Sequence, residues 1–158
     1  MKKIISLLAV FMSLSASAQM TPVGLWHTID DETKQPKGEV RITENNGVLS
    51  GVVGRALKED PKAKTVCDLC TDDRKDQKII GMEIIRNLTR EGKDTDYTWA
   101  GKGTILDPNN GKVYEVKMVP IEGGKRLQVR GYLGIFYRTQ FWTRVESIHT
   151  FKTFLEIS

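Results

Sequence analysis

The chain has 158 residues, of which 39% are hydrophobic and 28% charged, and its formal net charge at pH 7 is +4. The charges alternate in sign and form no basic stripe with interleaved aromatic residues, which excludes a typical nucleic-acid-binding protein. The length suits one domain with a single core.

The first 18 residues have the three parts of a secretory signal peptide. Lys2 and Lys3 give a positive start, Ile4 to Leu14 is apolar apart from serines, and Ala16-Ser17-Ala18 fits a cleavage site. The apolar stretch is too short to span a bilayer, so we predict cleavage near Ala18, no membrane span, and a periplasmic or secreted protein. An uncleaved anchor is the alternative. Without the two lysines, 22 basic and 20 acidic side chains remain, a net charge of +2 that indicates no particular charged partner.

Beyond the leader, short alternating runs separated by turn residues predict about eight β-strands. Asn46-Gly47 is a strong hairpin signal because both residues tolerate positive φ. The predicted strands cover residues 23–29, 38–44, 48–56, 82–88, 97–106, 112–121, 126–133 and 138–145. Since most connections are short turns, we predict an all-β, up-and-down antiparallel barrel over residues 19–145, in which closure removes the exposed strand edges. A β-sandwich is the alternative.

Two segments depart from the strand pattern. Residues 57–80 are charged and have no sustained apolar period, and connections of this length are often functional or locally cross-linked. Residues 146–158 form a C-terminal extension in which Ile148, Phe151 and Leu155 have helical spacing. This spacing predicts a short amphipathic helix there, with an extra strand as the alternative.

Cys67 and Cys70 are the only cysteines of the chain. In an exported protein they are expected to form a structural disulfide. A thioredoxin-like redox pair would open a helix after a strand, whereas this pair lies in an all-β context beside Asp68, which would raise a thiol pKa. A zinc site would need a second ligand pair, which the isolated His27 and His149 are poorly placed to supply. The disulfide is therefore favoured over redox function and over metal binding.

No arrangement of residues indicates catalysis. The chain has no Gly-x-Ser-x-Gly nucleophile elbow, and no two carboxylates stand out as a general acid and base. We therefore predict a protein that is not an enzyme, with no catalytic residues, no metal and no cofactor.

Small residues on inward strand faces are the best indication of a ligand site. Gly101, Gly103 and Gly131 share faces with large apolar residues, which leaves room for a ligand or lets the large neighbours fill a narrow lumen. Under the first interpretation, the side chains that line the interior and contact a small apolar ligand are Trp99, Tyr114, Val129 and Phe141.

The two ends of the predicted barrel carry Gly24-Leu25-Trp26 and Trp142-Thr143-Arg144. An early Gly-x-Trp followed by a late-strand Arg resembles the closure of lipocalin-type β-barrels. In those folds the indole covers one end of the barrel and the guanidinium lies across its face. We therefore predict that Trp26 packs against Arg144.

A longer series of motifs points to one family. In chain order these are Gly24-Leu25-Trp26, Cys67-x-x-Cys70, Gly81-Met82, Ile105-Leu106-Asp107-Pro108-x-x-Gly111-Lys112-x-Tyr114, Val129-Arg130-Gly131-Tyr132-Leu133-Gly134 and Arg138-Thr139-Gln140-x-Trp142-Thr143-Arg144-Val145. Together they resemble the bacterial exported family catalogued as domain of unknown function 2147, over residues 22–145. The resemblance implies a lipocalin-like fold and a carrier role for small apolar molecules, and it supplies no catalytic residues. The extension after Val145 departs from the family's usual ending.

These observations leave three functional hypotheses. The leading one is a non-enzymatic binder or carrier of a small apolar ligand. The second is a protein-interaction module of the cell envelope that uses the 57–80 loop or the C-terminal tail. The third is a thiol redox protein, which would require an exposed, low-pKa thiolate.

Overall fold

The computed structural model describes residues 20–92 and 97–146. Within these residues the protein is all-β, with one short 3-10 turn at Glu122–Gly124. The strands are β1 (Gly24–Ile29), β2 (Pro36–Asn45), β3 (Val48–Ala56), β4 (Glu83–Arg90), β5 (Trp99–Gly101), β6 (Thr104–Asp107), β7 (Lys112–Ile121), β8 (Arg126–Leu133) and β9 (Phe136–Arg144).

All strand pairs are antiparallel and the sheet closes on itself. The order runs β3-β2-β1-β9-β8-β7, after which β5 and β6 both pair with β7 and β4, and β4 returns to β3. β5 and β6 share one strand position, interrupted at Lys102 with its positive φ of 48°. The barrel thus has eight strand positions, which confirms the predicted fold and divides the single strand predicted over 97–106.

Strand directions define two ends of the barrel, here named the bottom and the mouth. The bottom holds the start of β1, the end of β9, the Asn46-Gly47 turn and the 3-10 turn. The mouth holds the connections over residues 30–35, 57–82, 108–111 and 134–135. Several connections at the mouth are long or carry exposed side chains, whereas the described turns at the bottom are short.

Large side chains fill the lower part of the lumen. Trp26, Leu49, Leu88, Met118 and Leu127 are completely buried, and burial of each such side chain contributes about 1.5–3 kcal/mol. A Cβ at position 103 would lie 2.5 Å from the Leu88 Cβ, and one at position 51 would overlap the Ile85 side chain. The glycines here admit neighbouring side chains, so the lower lumen is filled.

A second layer of packing lies outside the barrel wall. Ile85 and Ile105 pair across β4 and β6 and point inward. Since side chains alternate along a strand, their neighbours Ile84 and Leu106 lie on the outer face. Both outer side chains are nevertheless buried. The β3–β4 loop packs over this part of the outer face. Its Cys67 Sγ lies 3.6 Å from the carbonyl oxygen of Pro108, next to the end of β6. The long loop therefore folds back against the wall near the turn between β6 and β7.

The predicted leader, residues 1–18, and nearly all of the C-terminal extension lie outside the described residues. The helix or strand predicted around Phe151 falls in that part of the chain. Among the described residues, no helix has the length and apolar character needed to cross a membrane.

Candidate functional site: the barrel mouth

Arg144 closes the barrel at its bottom, away from the mouth. It is opposite Trp26 in the β1–β9 pairing, and its guanidinium carbon lies 4.2 Å from the centre of the indole ring. The guanidinium donates to the carbonyl oxygens of Gly124 (2.6 Å), Val23 (2.8 Å) and Thr21 (2.6 Å). Burial lowers the pKa of Arg144, but a guanidinium stays charged at physiological pH. The predicted contact with Trp26 is therefore part of a larger hydrogen-bonded closure.

The Gly-x-Trp sequence is explained by the same closure. Gly24 has a φ of +143°, and a Cβ there would overlap the Arg144 guanidinium. Trp26 Nε1 donates to the carbonyl oxygen of Pro22 at 2.7 Å. Because these side chains satisfy one another, they belong to the scaffold.

Two of the four predicted lining residues belong to the filled part of the lumen. Trp99 and Val129 both pair with Met118, one on each side of it. All three side chains are buried. They point inward, as predicted, and form a floor below the mouth.

Tyr114 points inward as well, but it lies at the mouth and is half-buried. Its hydroxyl accepts a hydrogen bond from Asn110 Nδ2 at 3.1 Å. Tyr114 is thus the predicted lining residue that a bound ligand can reach.

Phe141 does not line the interior, and this part of the prediction needs correction. Its side chain is on the outer face and exposed, with the Arg126 guanidinium carbon 4.7 Å from the ring centre. Side chains alternate along a strand, so the position of Arg144 in the closure sends Trp142 inward and Phe141 outward. Trp142 is accordingly buried.

Above the floor, the inner face of the wall stays partly open. Ile105, Tyr114, Gly131 and Gln140 are half-buried there, and Arg138 is exposed. A Cβ at Gly131 would lie 3.3 Å from the Tyr114 Cβ and 3.9 Å from the Ile105 Cγ2. We call these five residues the mouth wall. Gly131 therefore makes room for the Tyr114 side chain. Above the floor, the half-buried mouth wall bounds a shallow recess at this end of the barrel.

Polar groups surround the recess at its rim. Asp31, in the β1–β2 loop, forms an ion pair with Arg138, and Gln140 Nε2 donates to its Oδ2 at 3.2 Å. The hydroxyl of Tyr114 lies on the opposite side of the recess. The mouth therefore combines an apolar floor with a rim able to hydrogen-bond a polar group.

Sequence reasoning missed Arg138 and Gln140 as inward residues. The signal was present: alternation counted back from Arg144 places positions 142, 140 and 138 on the inner face. Asp31 carried no such signal, because its contact with Gln140 joins residues 109 apart in the chain.

The outer wall carries two shallow depressions, and the charged side chains of the first pair with each other. In one, Arg86 contacts Asp73 at 2.7 Å and Glu83 at 2.9 Å. The other is lined by His27, Pro36, Leu57 and others. These ion pairs are those of an ordinary protein surface and form no nucleophile–base arrangement.

His27 lies on the outer face, where its Nε2 is 3.2 Å from Glu39 Oε1. Arg55 holds Glu39 by two hydrogen bonds of 2.8 and 2.9 Å, and this contact lowers the pKa of the Glu39 carboxyl. The hydrogen bonds from arginine favour the ionised form of the carboxyl.

Cys67 and Cys70 form a disulfide whose sulfur-bearing side chains are both buried. In the same loop, the Arg74 guanidinium hydrogen-bonded to Asp72 lowers the pKa of that carboxyl to about 2. Within residues 20–92 and 97–146, no three His, Cys, Asp or Glu side chains come together as metal ligands do. The loop is a cross-linked structural element of the wall.

Comparison with known proteins places the fold and the family. The chain is similar in structure to protein HP1028 of Helicobacter pylori, described as belonging to the lipocalin family, with a TM-score of 0.66 and 20% sequence identity. The similarity covers 82% of this chain and 86% of HP1028. No curated protein gives a significant match. The family described as "Uncharacterized protein conserved in bacteria (DUF2147)" matches residues 24–144, so the chain belongs to the DUF2147 family.

Proposed function

We propose that this protein is a non-enzymatic binder of a small, largely apolar ligand, which it holds in the mouth of the barrel. The observation that carries the proposal is the recess bounded by the mouth wall, whose inward side chains are half-buried or exposed while the lumen beneath them is filled. The leader predicted from sequence supports a site of action in the periplasm or outside the cell.

The shape of the mouth limits the ligand to a small molecule, or to one end of a larger one. Trp99, Met118 and Val129 block deeper entry, so apolar atoms of the ligand would rest on them and beside Tyr114. A polar group on the ligand would lie at the rim, within reach of Arg138 and Gln140. Such a site is mostly apolar with a few polar groups that fix orientation, which is typical of small-molecule pockets.

A non-enzymatic role is favoured by the same side chains. The two cysteines are joined in a buried disulfide, and Glu39, Asp72 and Asp73 are each engaged by an arginine. The mouth wall itself holds no carboxylate, cysteine or histidine, and the carboxylate at its rim, Asp31, is engaged by Arg138 and Gln140. It offers recognition groups and no nucleophile or general base.

A fluorescence titration with the neutral apolar dye N-phenyl-1-naphthylamine tests the proposal. We expect saturable binding at one site per chain, and at least about tenfold weaker binding by Gly131→Val, whose side chain would push Tyr114 into the recess and displace apolar atoms of the ligand. Gly54→Val is the matched control, because Gly54 lies on the outer face beside Glu39. Equal dye binding by the wild type and by Gly131→Val would refute binding at the mouth.

A further inference from the structure

The turn between β8 and β9 exposes a group of large apolar side chains at the mouth. Ile135 is 90% exposed, Phe136 74%, Tyr137 65% and Leu133 46%. Leu133 pairs with Phe136, so a two-residue turn joins the strands, with Gly134 at a φ of 60°. We call residues 133–137 the hairpin tip. Exposed apolar groups of this kind commonly mark an interaction surface.

The rest of the hairpin is basic. Residues 126–144 contain four arginines and no aspartate or glutamate. Arg138 is three residues from Ile135, about 10 Å along an extended strand, and Arg130 lies at a similar height because it pairs with Thr139. The Arg130 guanidinium carbon is 4.8 Å from the centre of the Tyr137 ring. Arg138 is paired with Asp31, whereas Arg130 donates to the neutral hydroxyl of Thr139 at 2.7 Å. Arg130 thus places a positive charge one step behind an apolar, aromatic tip.

We propose that the hairpin tip docks the barrel, mouth first, on the surface of a bilayer that contains anionic phospholipids. Apolar side chains on interfacial elements enter about 5–10 Å into the headgroup region, which matches the separation of the tip from Arg138. Tyr137 and Phe136 are of the aromatic type enriched at that depth. Arg130 would then lie among the lipid phosphates, which attract it.

A bilayer fits the tip better than a protein partner does. Stable protein interfaces cover about 800 Å² on each partner, and a single convex turn offers much less than that. A protein would need a groove shaped to the tip, whereas lipid headgroups adjust around a convex apolar protrusion. Docking of this kind does not depend on ligand binding, because Ile135 lies outside the mouth wall.

Vesicle sedimentation with the chain lacking its predicted leader tests the docking. We expect binding to vesicles of phosphatidylcholine mixed with phosphatidylglycerol, weaker binding to phosphatidylcholine alone, and a further decrease at high salt. The double variant I135D/F136D should bind at least about tenfold less, because two apolar side chains no longer leave water. Val48→Asp, at an exposed apolar position at the bottom of the barrel, should bind like the wild type.

Tryptophan fluorescence of the variant Ile135→Trp, which places an indole at the hairpin tip, is an independent measurement of docking. Its emission should shift to the blue on addition of the anionic vesicles and should be quenched by brominated lipid. Thermal unfolding followed by circular dichroism establishes that each variant is folded.

Three results would overturn the proposal. The first is that the wild type does not bind the anionic vesicles. The second is that I135D/F136D binds these vesicles as well as the wild type does. The third is that the emission of Ile135→Trp does not change when the vesicles are added. Sedimentation velocity without lipid adds a fourth: a wild-type dimer that I135D/F136D abolishes would identify a second copy of the chain as the partner. Loss of dye binding in the Gly131→Val titration would leave all of these readouts unaffected.

Discussion

At the scale of single residues, Arg144 makes a set of contacts that no other type of side chain could supply. Its planar guanidinium reaches three carbonyl oxygens in two segments, residues 21–23 and the 3-10 turn, and also stacks on Trp26. A lysine ammonium is a point charge on a flexible stem and cannot adopt this fork geometry. The side chain thereby ties β9 to the start of β1 and to the 3-10 turn.

Replacement of this side chain should therefore destabilise the barrel. For Arg144→Lys we expect a decrease in the free energy of unfolding of about 2–3 kcal/mol, from the loss of hydrogen bonds made by a charged donor. Urea denaturation measures this difference in the free energy of unfolding. Arg126→Lys is the matched control, since the exposed pair of Arg126 with Glu122 should change stability by less than about 0.5 kcal/mol. Equal losses in the two variants would contradict the role given to Arg144.

Single residues could be placed correctly from the sequence where one contact determines which side chains of a whole strand point inward. The Gly-x-Trp and the late Arg predicted the closure, and the closure in turn fixes which side chains of β9 point inward. The apolar character of Phe141 predicted an inward position, whereas alternation along β9 places the side chain on the outer face. Gly51 and Gly103 could not be interpreted from sequence, since a small residue fits an empty cavity as well as a neighbour's side chain.

At the scale of elements, the β3–β4 loop behaves as a cover for one part of the wall. Its disulfide and the Asp72–Arg74 pair hold it over the outward side chains Ile84 and Leu106. Arg74 is itself buried and donates to the carbonyl oxygen of Glu83 at 3.1 Å. The loop is thus tied to β4 through Arg74, whose charge Asp72 balances.

This pairing predicts acid sensitivity of the loop. Folding lowers the pKa of Asp72 from 3.8 to about 2, so the ionised carboxylate stabilises the loop above pH 3.8, and this stabilisation is lost as the pH falls toward 2. Hydrogen exchange of the loop amides should show protection decreasing through that window in the wild type. In Asp72→Asn the protection should already be low and vary less with pH.

The matched control for acid sensitivity is Asp76→Asn, because the Asp76 carboxylate forms an exposed pair with Lys75 at 3.3 Å. In Asp76→Asn the protection of the loop amides should depend on pH as it does in the wild type. Identical profiles in the wild type and Asp72→Asn would show that this carboxylate does not hold the loop.

The sequence predicted the strands well because alternation and turn residues are local signals. The bounds of β3, β7 and β8 agree with the predicted ones. The break between β5 and β6 was missed, since Lys102 is not a residue type that signals positive φ. The path of the β3–β4 loop also lay beyond reach, because burial under it depends on contacts between distant parts of the chain.

At the scale of the whole molecule, the two ends of the barrel have different characters. The bottom is closed by Arg144 and filled with large side chains, whereas the mouth combines a shallow recess, a polar rim and an exposed apolar tip. Both proposed interactions lie at this one end. A barrel docked mouth first would bring the recess next to the lipid, where small apolar molecules are most concentrated.

The central claim is that the mouth holds a small ligand, and native mass spectrometry of protein purified from its own cells tests it most directly. The wild type and Gly54→Val should carry an additional mass, which denaturation releases as a small apolar compound, and Gly131→Val should carry none. A wild type with the bare polypeptide mass, or the same additional mass on Gly131→Val, would contradict the claim.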